Sequence, residues 1–139
     1  MATDYKQPRR LNIVSGILLL LLAGAGYWSW KFLPAYLEAW SVDHILKEQV
    51  SRVYKIMMMG EPDKTNELTK LVETAKADIK KKAGVTDAGI VVHLNVDVTV
   101  ATLTADYKVR VNHDWFNRTS VLEMHRIATA DIKRVDWDK

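Results

Sequence analysis

Residues 11–30 read LNIVSGILLLLLAGAGYWSW, twenty positions without a charge. At 1.5 Å of rise per residue such a helix spans about 30 Å, the thickness of a bilayer's hydrocarbon core. A helix that packs in a soluble domain keeps one polar face, and this run has none. Residues 11–33 are therefore expected to form a transmembrane helix. The flanks set its direction: Lys6, Arg9 and Arg10 precede the run, whereas the near side of the far flank offers mainly Lys31. Positive charge is retained on the cytoplasmic side, so residues 1–10 form a cytoplasmic tail and residues 34–139 an extracytoplasmic domain. A basic start, an apolar centre and Ala23-Gly24-Ala25 also fit a cleaved signal peptide. The apolar run continues through Tyr27 to Trp30, a length that favours an uncleaved signal anchor.

Two features of the anchor suggest contacts. Ala23, Gly24, Ala25, Gly26 and Ser29 expose a smooth surface that a second helix can approach closely, although small residues are also tolerated at a helix end for no functional reason. Tyr27, Trp28, Trp30, Phe32, Tyr36 and Trp40 gather on the outer side, where aromatic rings with a polar edge settle at the headgroup level.

Beyond the anchor, Pro34 is expected to kink or interrupt the helix near Trp30 by clashing with the carbonyl four residues earlier. A helix then runs from about Ala35 to Met58, with Val42, Leu46, Gln49 or Val50, Val53 and Met57 on one stripe. Gly60-Glu61-Pro62-Asp63 stops it. A second helix from about Lys64 to Ala83 presents Leu68, Leu71, Val72, Ala75 and Ile79, and Lys80, Lys81 and Lys82 complement the negative end of its dipole.

After Gly84 the period becomes two. Ile90, Val92, Leu94, Val96, Val98 and Val100 occupy even positions, then Leu103, Ala105, Tyr107, Val109 and Val111 occupy odd ones. The phase flips between Asn95 and Thr102, through a turn at Asn95-Val96-Asp97 or a bulge near Ala101. Asn112 to Arg118 reads as a hairpin loop and Thr119 to about Ala130 as the returning strand, with Leu122 and Met124 inward. Ile132 to Lys139 would add a short strand ending at Trp137. The fold class is α+β: an N-terminal transmembrane helix, two helices, then an antiparallel sheet of three or four strands.

Composition narrows the function. Of 20 basic and 17 acidic residues, three and one precede the anchor, which leaves 17 against 16 behind it. The sequence pI of 9.1 thus reports the tail, and a near-neutral domain does not suit nucleic acid. The chain has no cysteine, which removes disulfides, thiolate metal sites and thiol catalysis. His44, His93, His113 and His125 sit at no metal-ligand spacing. His113-Asp114 and Glu123-x-His125 would face each other across the hairpin, an arrangement that is ordinarily a solvated loop and a cross-strand pair. Ser41, Ser51 and Ser120 lack the glycine-flanked elbow of a nucleophile. Asn117-Arg118-Thr119 matches the glycosylation sequon, a pattern short enough to arise by chance. Met57-Met58-Met59 reads as a packing plug between the first helix and the sheet. No enzyme and no cofactor are expected.

The order of features resembles a bacterial domain-of-unknown-function family of small pilin-like single-pass membrane proteins. The likeness is carried by Ser15-Gly16-Ile17, by Leu33-Pro34-Ala35-Tyr36-Leu37-Glu38 with Val42 and Leu46, by Lys82-Ala83-Gly84-Val85, and by Ala105-Asp106-Tyr107-Lys108-Val109. It implies an anchored helix-plus-sheet domain on the periplasmic side of a Gram-negative inner membrane, and it brings no catalytic residues. Gly16 before an apolar run also resembles a prepilin-peptidase site. Pilins usually carry Glu at the fifth position after that glycine, and here it is Leu21. The sequence therefore points first to an accessory or scaffold subunit that contacts membrane lipid and other membrane-protein subunits or a second copy of itself. A pilin-like assembly subunit is the second reading and a small envelope enzyme the third.

Overall fold

The computed structural model describes residues 13–59 and 63–133, and its first element, α1 (Ile13–Met57), is one helix of 45 residues that contains Pro34. The expected interruption does not occur. A proline in a helix interior removes one hydrogen bond at a cost of about 3 kcal/mol, and here the loss falls at an exposed position inside a long helix whose downstream half is held by packing. At 1.5 Å per residue α1 is about 67 Å long.

Its two halves differ. Among the described residues α1 is the one helix long and apolar enough to cross a membrane, and none of that apolar stretch is buried. From Ala35 onward the pattern becomes amphipathic: Ala35, Ala39, Val42, Leu46, Val50 and Val53 are buried on one face. α2 (Asp63–Lys82) follows, with Leu71, Ala75 and Ile79 buried and Leu68 and Val72 half-buried. Lys80, Lys81 and Lys82 occupy its last turn, and Gly84 takes φ +77°, the left-handed geometry that ends helices and that glycine adopts without strain.

Three strands complete the domain: β1 (Val91–Val96), β2 (Val100–His113) and β3 (Arg118–Asp131), an antiparallel meander in the order β1-β2-β3. Pairing between β1 and β2 runs without a break from Val91↔Asp106 to Val96↔Ala101, so each pair joins an odd with an even position. The phase flip is therefore a hairpin turn and not a bulge. It sits slightly later than Asn95–Asp97: the Asp97 N–H donates to the Val100 carbonyl at 2.9 Å, and the Asp97 carboxylate accepts from the Val98 N–H at 2.7 Å.

One sheet face is covered. α1 packs across β2 and β3, α2 packs on α1 and β1, and Leu103, Ala105, Tyr107, Val92 and Ala128 are buried between the layers. Each large aliphatic side chain buried there contributes roughly 1.5–3 kcal/mol. The buried Gln49 side chain donates to Asp78 Oδ2 at 3.2 Å, and Lys82 Nζ donates to the same oxygen at 3.0 Å, which ties the two helices. Met57 packs on this core, but Met58 and Met59 are exposed. The methionine run is therefore not a plug, because α1 ends at Met57 and the last two residues turn away from the layer. Ile132 is buried and its N–H donates to the Thr99 carbonyl at 2.8 Å, but residues 132–133 form no strand, and residues 134–139 of the proposed last strand lie outside the described residues.

Candidate membrane and partner interface

The strand lengths decide where the hairpin goes. β2 and β3 have 14 residues each, about 46 Å of extended chain, whereas β1 has only six. The two long strands overshoot β1 and run back along α1 toward its apolar half. Their loop, residues 114–117, closes with the Phe116 N–H donating to the His113 carbonyl at 3.0 Å and with Asn117 at φ +46°, a left-handed position that asparagine tolerates.

That loop lands on the end of the apolar run. Tyr27 Oη and His113 Nδ1 lie 3.2 Å apart in a hydrogen bond, and His113 Nε2 pairs with Ser120 Oγ at 2.9 Å. Lys31 Nζ donates to Asp114 Oδ2 at 2.7 Å, and this contact holds the Asp114 carboxyl below the usual carboxylate range. Phe32 rests against His113 with ring centroids 5.8 Å apart, and Tyr27 against Trp115 at 6.2 Å. Beyond its contact with Tyr27, Trp115 stands open at 85% exposed, and Phe116 beside it is 68% exposed.

The residues singled out in the sequence fall on two sides of α1. Ala23, Gly24, Ala25, Gly26 and Ser29 are all exposed, and nothing approaches a Cβ position at Gly24 or Gly26 within 4 Å. Tyr27 is half-buried by the hairpin, and Trp28 stacks on Phe32 at 5.3 Å. Trp30, Tyr36 and Trp40 remain exposed. At about 100° per residue, Gly26, Trp30, Leu33, Leu37 and Trp40 form one line opposite the buried face of Ala35, Ala39, Val42 and Leu46. Trp30 is 80% and Trp40 71% exposed.

The histidines do not gather. β2–β3 pairing places His113 opposite Arg118 and His125 opposite Asp106. His125 lies seven positions beyond Arg118, an odd offset that puts the two histidines on opposite faces and about 20 Å apart. His125 bonds instead to Asp106, and Lys108 to Glu123 at 3.0 Å, as cross-strand pairs on the open sheet face. Among the described residues no group of three His, Asp or Glu side chains could hold a metal ion.

Further along α1 a polar island lies between the helix and the sheet. Arg126 reaches Asp43 at 3.5 Å, and the Tyr107 hydroxyl and Arg126 Nε are buried without a hydrogen bond among the described residues. Burial raises the Tyr107 phenol above its usual range, against the opposing charge of Arg126, and burial likewise raises the Glu38 carboxyl.

No family model, no curated protein and no solved structure matches the chain. The features that sequence reasoning missed are Trp115, Phe116 and the Lys31–Asp114 pair. A Trp-Phe dipeptide at a hairpin tip was the available sign, but its level along α1 follows only from strand register.

Proposed function

We propose that the chain is a membrane-anchored interaction module, an accessory or scaffold subunit of an envelope membrane complex. The first half of α1 would cross the inner membrane with its N-terminus in the cytoplasm, and the α+β domain would stand on the periplasmic side. The observation that carries the reading is the free apolar line Gly26, Trp30, Leu33, Leu37 and Trp40 on the side of α1 that the sheet leaves uncovered. Because α1 passes Pro34 unbroken, Trp40 lies about 15 Å along the axis beyond Trp30. A headgroup layer is only about 5–8 Å thick, so on an upright helix lipid alone leaves Leu37 and Trp40 unaccounted for. A helix of another subunit, seated close over Gly26 and running on along Leu33 and Leu37, covers the whole line.

Co-purification from native membranes in mild detergent tests it. Gly26→Leu and Leu37→Ser should each lower recovery of the partner, whereas Gly24→Leu, on the sheet side of the helix, should do so less. Equal recovery from wild type and all three variants at equal expression would remove this line from the interface.

A second reading, a pilin-like assembly subunit, is favoured by the single helix from Ile13 to Met57, apolar and free in one half and sheet-covered in the other. Leu21 stands where pilins usually carry Glu. Cleavage at Gly16 with methylation of the new N-terminus would select this reading.

A further inference from the structure

We infer that the β2–β3 hairpin tip is a second lipid contact, with Trp115 and Phe116 entering the outer headgroup and upper acyl region of the bilayer that α1 spans. The inference rests on the membrane-anchor reading of α1 and goes beyond it, because a single-helix anchor needs no contact from the sheet. Three observations carry it.

The first is level. Tyr27 touches both His113 and Trp115, and Lys31 holds Asp114, so the tip stands beside residues 27–31 of α1. If hydrocarbon covers the uncharged run up to Trp30, that level is its outer boundary, where Trp28 and Trp30 also lie.

The second is chemistry. Two large aromatic side chains stand open at the tip of an otherwise polar loop, and water is a poor environment for both. Indole is an interfacial group, apolar in its body with an N–H that can stay wet, and Phe116 beside it is purely apolar. Arg118, at the base of the loop, carries a guanidinium suited to lipid phosphate.

The third is charge. Lys31 and Asp114 meet at 2.7 Å, so the anchor's nearest cation and the loop's one carboxylate enter the boundary as a pair and not as separate ions. The partner helix proposed over Gly26 sits on another side of α1 from Tyr27 and Lys31, whereas the bilayer surrounds the tip at that depth. Two attachment points would fix the domain's tilt and so hold the free line of α1 and the open sheet face at a set angle to the membrane.

The absence of cysteine makes the test direct. Full-length Phe116→Cys, Leu19→Cys and Val98→Cys proteins, each with an environment-sensitive fluorophore, are reconstituted alone into phosphatidylcholine–phosphatidylglycerol vesicles. The vesicles carry nitroxide lipids with the quencher either near the headgroup or at the bilayer centre. Leu19 reports the anchor, and Val98, exposed at the opposite end of the sheet, reports water. The inference expects shallow lipid to quench Phe116 severalfold more than Val98, and deep lipid to quench Leu19 most. Quenching of Leu19 with Phe116 no different from Val98 overturns the tip contact and leaves the anchor standing. Loss of quenching at Leu19 overturns the anchor reading and the tip contact with it.

Discussion

Residues 13–34 and 35–57 belong to one helix, yet they obey different rules of composition. The second half buries one face against the sheet and α2, and on its other side it is polar except for the open residues near its start, Leu37 and Trp40 among them. The first half carries no charge before Lys31 and, apart from the hairpin tip's contacts with Tyr27, Lys31 and Phe32, is covered by nothing among the described residues. Helix geometry is shared, so what changes at Pro34 is the surroundings each half requires. Burial in the chain's own core stabilises the second half, and the first half needs an apolar surrounding from elsewhere.

Paired substitutions should separate the two halves. Leu46 is fully buried, so Leu46→Ala should lower domain stability by about 2–5 kcal/mol, read as a fall in denaturant midpoint. Leu19→Ala, the same change in the free half, should leave that midpoint unmoved. A comparable loss from Leu19→Ala would break the comparison by showing that the first half is part of the folded core. A smaller contrast comes from adding volume: Ala39→Leu should cost about 1–3 kcal/mol under the sheet, and Ala23→Leu should cost the domain nothing. A buried polar group sharpens the account of the covered half. The Tyr107 hydroxyl makes no hydrogen bond among the described residues, so Tyr107→Phe should change stability by less than about 1 kcal/mol in either direction, read from the same denaturant curves.

The smallest effect concerns the sheet alone. Beyond Val91↔Asp106 strand β1 has ended, and Asp87 takes its place beside β2: its carboxylate accepts from the Lys108 N–H at 2.7 Å and from the Gly89 N–H at 2.9 Å. Those bonds favour the charged form and hold the Asp87 pKa below its ordinary value. A carboxyl depressed in the folded state stabilises it above the unfolded pKa, about 3.9, and that contribution is lost as pH falls through the folded value. Melting temperatures between pH 5 and pH 2 should therefore fall slightly less steeply in Asp87→Asn than in wild type.

The periodic parts of this fold were legible in the sequence. Val42, Leu46 and Val53 recur at helical spacing, and the even-to-odd switch between Val96 and Leu103 called for a turn or a bulge where the first hairpin lies, since side chains on paired strands must share a face. Pro34 misled because a local rule met a helix long enough to absorb it. The predicted meeting of His113 and His125 failed on register: the hairpin closes at His113↔Arg118, and each further pair moves His125 away from the tip. Trp115 and Phe116 looked like ordinary loop residues because their place beside Tyr27 depends on how far two 14-residue strands reach along α1. No window of neighbouring residues contains that information.

The central claim is that the first half of α1 lies in a membrane and the sheet lies outside the cell's interior. Labelling of single cysteines in intact cells by a membrane-impermeant thiol reagent tests it most directly. The account predicts that Val98→Cys is labelled without lysis and that Leu19→Cys resists labelling before and after disruption. Labelling of Val98→Cys only after lysis, or ready labelling of Leu19→Cys in either state, would contradict it.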